Sequence, residues 1–593
     1  MEFITLLLII ITNSITISAL IKRKIEVAIP ITVIAMTLII YVCGLFDNLN
    51  VGVVIIKIIS LVSTIYNIKT FIKSIKSKQI DKFLDILITP GLLVYWILFL
   101  LFIIINYNRM FEDYDEFNHW ALIVKNMYMF NNFGTVENSI VAFNEYPPFT
   151  ASFQYILLNI RGEYLEHLVI ISQNILYLSI IIPICEKIEF KKNIKKLFLI
   201  IPGILFIPLI LYEDFFINIL VDGFLGILFA IALFTIYKND ADKMYRNIML
   251  TLIITALALT KTTGLVLAIL TILFILIKEK QKRIKTIILI SIIPVILTSA
   301  WYIKINISDS KTVWDFKKII QQEESSDNKL ITEMFIEGLF QQDNNIGGKL
   351  SAVNKILLLV AYSVCVYKIL QDDRKSYIYI IIATLISTAI FIFGIWWMYI
   401  TIFEFDEAII LASFDRYVNI TLLTWVTLNT LILFDNIKLK LSNIYSFFVI
   451  GIALLPMDIV YTKYINHEQY ILTQKIKRNY YYSNFRKYEN IFTEQDKIYL
   501  ISDSNMKNML ILKLYKYEMM TPNIANEEPI IYGTQEDFIE ILLNQNYTYV
   551  YIYKVKDNFK EQYKEMFIDE IKNETLYKIE IDNNNILRLK TIE

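Results

Sequence analysis

The sequence predicts an α-helical, polytopic membrane protein of about fourteen spans, followed by a small α/β domain outside the bilayer. Three observations predict it. Of 593 residues, 56% are hydrophobic and 19% charged, and the mean hydropathy is +0.51, beyond what a water-soluble domain carries. Apolar runs of spanning length recur through the first 463 residues. From residue 464 onward the runs shorten to strand length and alternate with amphipathic stretches.

The runs lie at 3–21, 27–46, 51–68, 84–106, 165–185, 197–212, 214–237, 247–260, 262–277, 285–303, 355–370, 377–400, 418–435 and 443–463. The first has no basic residue before it and no small-residue cleavage site, so it reads as a retained helix. The runs at 247–260 and 262–277 are short and are separated only by the Lys261 region.

Orientation follows from cations, because Lys and Arg in short loops stay cytoplasmic. Lys22/Arg23/Lys24, Lys69 to Lys82, Lys187 to Lys196, Lys238/Lys243/Arg246, Lys278 to Lys285, Arg374/Lys375 and Lys438/Lys440 occupy every second connection. The opposite short connections are nearly free of them: 47–50 and 212–214 have none, 260–263 only Lys261, and 401–417 only Arg416. The same alternation puts loops 107–164 and 304–354, the N-terminus and everything after 463 on the outer face of a plasma membrane.

Lys+Arg and Asp+Glu each total 57, so nothing neutralises a nucleic-acid backbone. Cys43, Cys185 and Cys365 sit far apart in apolar runs and read as packing residues. In the tail, KIYLIS, PIIYG and YTYVYIY have strand character, and QEDFIEILLNQ and NFKEQYKEMFIDEI read as helices. TLYKIEIDNNNILRLKTIE reads as two strands about an Asn-rich turn. The tail shows no nucleotide loop or catalytic triad, which leaves a structural or acceptor-recognition module.

The first outer loop opens with NRMFEDYDEFNHWALIVKNM, setting Glu112, Asp113, Asp115 and Glu116 beside the membrane surface. Such a cluster is either a solvated loop start or a general base or cation site. Tyr146-Pro147-Pro148 makes a rigid corner, with two fixed φ angles and two missing donors, ahead of an apolar, interfacial helix. Asp222 falls about eight residues into its run, on the order of 12 Å below the surface. An intramembrane acid marks a functional site by default; its partner is Lys261, Asn218 or a polar cavity, or it makes a helix–helix hydrogen bond. Glu213 and Asp214 stand at the outer end of the same helix, as acceptor or divalent-ion ligands or as dipole-compensating charges. His119 and His167 have no metal spacing. Trp120, Trp301, Trp396, Trp397 and Tyr399 read as an interfacial belt, and QQEESSDNKLITEMFIEGLFQQ in loop 304–354 reads as an interfacial lid or a plain surface helix.

A span, an outer loop carrying the acidic pair Asp115-Glu116, an ordered loop carrying Tyr146-Pro147-Pro148 and a further helix series resemble the GT-C superfamily of integral membrane glycosyltransferases, including protein mannosyltransferases and aminoarabinose transferases. The resemblance spans 84–463, and LYEDFFINILVDGFLGILF, ALTKTTGL, TSAWYIK and ILASFDRY follow in order. It implies inverting transfer from a polyprenyl-phosphate sugar on the outer face. A phosphate leaves readily, so such a reaction needs a carboxylate for the acceptor proton and cations for the phosphate. Asp115 is then the candidate base, with Glu116 and Asp113 next. Lys261 and Arg416 are candidates for the donor phosphate; otherwise Arg416 pairs with Asp415 or Asp406 and Lys261 snorkels to head groups. Tyr146, Pro147, Pro148, Asp214, Asp222 and His119 are candidates for shaping the acceptor site. No cofactor is required by the sequence, and a divalent cation, magnesium or manganese, is left open. Trp396-Trp397 is followed by Met398, so the WWD signature of oligosaccharyltransferases is missing.

The organisation expected is three added N-terminal helices (1–83), a catalytic membrane domain (84–463) and an outer α/β domain (464–593). The acceptor is a cell-envelope glycan, teichoic-type polymer, lipid or protein. A multi-pass transporter or lipid-carrier flippase is the second class, against which stands the absence of paired halves or matched Gly/Pro-broken helices.

Overall fold

A computed structural model describes residues 1–135, 139–278, 283–308, 326–341, 350–370, 373–436, 455–493, 495–502, 505–521, 523–525, 533–581 and 587–592. The chain divides into two compact units. One comprises Met1–Asn108, Met127–Glu137 and Phe143–His467; the other comprises Arg109–Asn126, Asn138–Ala142 and Glu468–Glu593.

The first unit is helical. Its elements are α1 (Glu2–Ile21), α2 (Ile25–Leu45), α3 (Leu49–Lys76), α4 (Ile80–Leu87), α5 (Pro90–Asn106), α6 (Ala121–Phe130, shared with the second unit), α7 (Phe149–Arg161), α8 (Glu166–Ile181), α9 (Leu197–Leu209), α10 (Asp222–Lys238), α11 (Lys243–Thr260), α12 (Thr262–Lys278) and α13 (Arg283–Ile307). Then come α14 (Ser326–Phe340), α15 (Ala352–Ile369), α16 (Arg374–Thr401), α17 (Phe405–Ile409) and α18 (Phe414–Asp435). Among the described residues nine helices are long and apolar enough to cross a membrane. The protein is a helical polytopic membrane protein.

Several expected runs come out shorter than a span. Run 197–212 yields α9, 13 residues with Pro202 and Pro208 inside it. Run 214–237 yields a helix only from Asp222, 17 residues long, because Tyr212 to Val221 run as turns, bends and irregular chain despite their apolar composition. Asp222 is therefore the first residue of α10 and not two turns inside a helix, and Glu213 and Asp214 lie in the preceding turns and not on that helix. The run at 443–463 lies mostly outside the described residues.

Burial separates lipid-facing from central helices. Most of α8 and α18 is buried, whereas α3 and α13 expose Ile58, Leu61 and Ile288 as lipid-facing surface. Helix α7 is buried along Phe149–Leu158, with Thr150, Ser152 and Gln154 among the buried residues. Helices α10 and α18 pack along each other, and Gly226 permits the approach. A Cβ there would stand 2.6 Å from the Ile420 carbonyl oxygen, and Thr424 Oγ1 donates to the Gly226 carbonyl at 2.9 Å. Both helices end in ionic anchors: Lys238 meets Glu186 at 3.1 Å and Lys187 meets Asp435 at 2.7 Å, while Arg23 meets Asp240 at 2.7 Å.

The second unit holds one five-stranded sheet in the order β2-β1-β3-β4-β5, with β1 at Ile498–Ser502, β2 at Ile524–Ala525, β3 at Tyr549–Lys554, β4 at Thr575–Ile581 and β5 at Leu587–Thr591. Strands β2, β1 and β3 are parallel, and β4 and β5 add antiparallel. Around it stand α19 (His467–Arg486), α20 (Asn505–Met519), α21 (Gln535–Asn544) and α22 (Asp557–Tyr563). Strand β1 is buried along its whole length, as expected of a strand covered on both faces. Tyr499, Ile501, Val550 and Ile552 meet Phe538, Leu542, Phe559 and Tyr563 in the core. A capping box of Thr534 and Asp537 starts α21. The Asn-rich turn between β4 and β5, and most of PIIYG, lie outside the described residues.

Candidate functional site

The sequence-derived candidates fall into two groups, one in each unit. In the membrane unit, Asp222 opens α10, Lys261 sits at the junction of α11 and α12, and Arg416 lies in the first turn of α18. The junction is tight: Gly264 N–H donates to the Lys261 carbonyl at 2.9 Å, and a Cβ at Gly264 would stand 2.2 Å from the Leu257 carbonyl oxygen. Only glycine lets α12 turn back so close to α11.

Lys261 Nζ donates to Asp222 Oδ1 at 2.8 Å, and Arg416 Nε lies 3.2 Å from Asp222 Oδ2. The side chains are 4%, 1% and 17% exposed for Lys261, Asp222 and Arg416. Charges this deep persist only when paired, because removal from water costs several kcal/mol per ion. Lys261 is thus an internal cation and not a snorkelling one, and Arg416 stands against Asp222. One carboxylate between two cations leaves a net charge of +1.

Aromatic rings flank the cations. The Tyr417 ring lies 5.0 Å from Lys261 Nζ and 5.3 Å from Arg416 Cζ, and the Tyr146 ring lies 5.6 Å from Lys261 Nζ. Pro147 and Pro148 immediately precede α7 and fix the chain that carries Tyr146. Tyr212 donates through its hydroxyl to the Arg416 carbonyl at 2.7 Å. Beside Arg416, Asp415 meets Lys355 at 3.2 Å, and Lys355 is on the first turn of α15, capped by Ser351. Asp214 meets Lys463 at 2.7 Å. Lys355, Tyr417, Tyr212 and Lys463 escape a reading of the sequence, since nothing local distinguishes them from other loop and interfacial residues.

In the second unit the acidic segment is clamped to α19 and α20. Gln474 Nε2 donates to the Met110 carbonyl at 2.9 Å and its Oε1 accepts from Met110 N–H at 3.2 Å. Arg478 donates to the Phe111 carbonyl at 3.0 Å, pairs with Glu518 and stacks over Phe117 at 4.8 Å. Lys125 caps the end of α20 through the Tyr517 carbonyl at 2.8 Å.

The acids there have different occupations. Glu116 is 2% exposed, and its Oε2 accepts from the amides of Glu112 at 2.9 Å and Asp113 at 3.0 Å. That carboxylate holds a turn together. Asp113 Oδ1 accepts from Asp115 N–H at 2.8 Å. Asp115 stands at the N-terminus of a π-helical turn, Glu116–Trp120, and its side chain makes no capping hydrogen bond. His119 is buried in that turn, its ring edge-on to Trp120 at 4.7 Å. Glu112 accepts from the Tyr470 hydroxyl at 2.5 Å. On α20, burial and then the charge of Lys516 push the Lys513 ammonium down to about 8, and burial lowers Lys516 as well.

Among the described residues no three His, Cys, Asp or Glu side chains converge as metal ligands. Comparison of the chain with known protein families, with curated proteins and with solved structures gave no match.

Proposed function

We propose that the protein is a membrane glycosyltransferase of the GT-C type, taking its sugar from a polyprenyl-phosphate donor and passing it to a cell-envelope acceptor on the outer face of the plasma membrane. The observation that carries the reading is the Lys261–Asp222–Arg416 cluster. It gathers two cations around one buried carboxylate at an end of the helical bundle. The N-termini of α10, α12 and α18 supply residues to it or adjoin it, and helix N-termini carry partial positive charge that favours an anion.

In this reading Lys261 and Arg416 bind the donor phosphate, the planar guanidinium giving two donors and the ammonium a point charge. Asp222 holds both cations in place and trims the charge to +1, the complement of a phosphodiester's single negative charge. As the bond from the anomeric carbon to the phosphate oxygen breaks, charge grows on that oxygen and the cations stabilise it. The acceptor oxygen attacks the anomeric carbon, and its proton goes to a carboxylate. The assignment of that base to Asp115 rests on the sequence resemblance, and Glu116 is the weaker candidate because its Oε2 already receives two amide donors.

The test is release of polyprenyl phosphate from a panel of polyprenyl-phosphate sugars by membranes containing wild type, Arg416→Ala or Asp115→Asn at matched levels. Release that falls in both variants supports the proposal. Accumulation of an unmodified lipid-linked sugar across vesicles, with no release, would replace it with the transporter reading.

A further inference from the structure

Helix α19 carries two opposed faces. Ile471, Gln474, Arg478, Tyr482 and Phe485 are buried against the second unit. Leu472, Ile476 and Tyr480, spaced by four, are 52%, 61% and 62% exposed, and i, i+4 spacing lines them along one side of the helix. A helix of this kind normally turns polar residues to water on the side away from its core. Here that side is an apolar stripe, with the exposed Lys475 and Lys477 flanking it.

We infer that this stripe is seated in the head-group region of the bilayer that holds the membrane unit. Three features select lipid over another protein surface. Leu472 comes five residues after His467, where the membrane unit ends along the chain, so the stripe starts in the second turn of the helix that follows it. Lys475 supplies a long apolar stem with a cationic head, the kind of side chain that reaches phosphate groups from an apolar contact, and Lys477, 3.6 Å from Glu112 Oε1, keeps a second cation beside the stripe. Tyr480 closes the stripe, and tyrosine favours the boundary between water and acyl chains. The buried face is held rigid by Gln474 and Arg478 through the Met110 and Phe111 carbonyls. The stripe is therefore presented by a packed helix and not by a mobile tail. This inference is independent of the proposed chemistry.

The experiment uses the full chain in nanodiscs of mixed zwitterionic and anionic phospholipid. Cys43, Cys185 and Cys365 are replaced by Ala, and an environment-sensitive fluorophore is attached at Ile476→Cys or, as a control, at Asp557→Cys, whose side chain is 96% exposed. The expected result is blue-shifted emission at 476 and severalfold stronger quenching there than at 557 by nitroxide lipids. Quenching should be greater from a nitroxide near the glycerol backbone than from one at the acyl-chain end, since interfacial helices sit roughly 5–10 Å into the boundary. Water-like emission with quenching equal to that at 557 overturns the inference. Blue-shifted emission that nitroxide lipids fail to quench also overturns it, assigning the stripe to a second copy or another protein.

Discussion

Asp222 accepts from Lys261 Nζ at 2.8 Å across 39 residues of sequence, and its other oxygen faces Arg416 Nε at 3.2 Å. The carboxylate is what allows two cations to share a buried site. Asp222→Asn leaves them facing each other without a counter-charge, and breaking a buried pair costs about 3–5 kcal/mol. Thermal unfolding in detergent should show that loss. The double variant Asp222→Leu/Lys261→Met should recover part of it, because an apolar pair demands no counter-ion.

Arg416 keeps 17% of its side chain exposed, and the proposed chemistry asks it to stabilise a leaving phosphate. Arg416→Ala should lower polyprenyl-phosphate release on the order of 10²–10³-fold, the loss typical of removing one preorganised donor. Arg416→Lys should recover only part, since a point charge cannot reproduce the planar fork. Unchanged release from Arg416→Ala would take this residue out of the mechanism.

Two neighbouring acids should respond differently to loss of charge. Glu116→Gln removes a carboxylate that two backbone amides share, and should destabilise the second unit by about 1–3 kcal/mol, read from its unfolding in the full chain. Asp115→Asn should leave that unfolding unchanged and abolish transfer. The opposite pattern would make Asp115 the structural acid.

Gly226 is the contact point of α10 and α18. Gly226→Val would drive a side chain into the Ile420 carbonyl, whose oxygen lies 2.6 Å from the position of a Cβ. Overpacking of this kind costs roughly 1–3 kcal/mol or more. Reduced yield of folded protein and a lower unfolding temperature are expected, together with loss of any activity that needs Asp222 and Arg416 in register.

Lys513 supplies a pH dependence. Its ammonium is pushed down to about 8 by burial, against about 10.4 in an unfolded chain. Between those values the unfolded chain binds more protons, so the stability of the second unit rises with pH across that window and is lowest below about 8. Lys513→Met should raise stability at neutral pH by roughly 1–3 kcal/mol and flatten the rise. A pH-independent melting temperature from 8 to 10 in the wild type would contradict the assignment of Lys513 to a half-buried, desolvated position.

Composition and apolar run length by themselves determined that this is a helical membrane protein, because a bilayer admits long apolar helices and little else. They also marked Asp222, Lys261 and Arg416 one by one, since a charge inside or beside an apolar run stands out against its background. Hydropathy could not tell where α10 begins: Phe215 to Val221 are nearly as apolar as a helix yet run as a turn and irregular chain, and composition is blind to backbone conformation. Only tertiary structure decided that Asp222 lies between Lys261 and Arg416, that Lys355 takes Asp415, and that the acidic segment 109–126 packs against α19 and α20. Each of these joins residues far apart in sequence, and such partners are chosen by the packing of the helices that carry them.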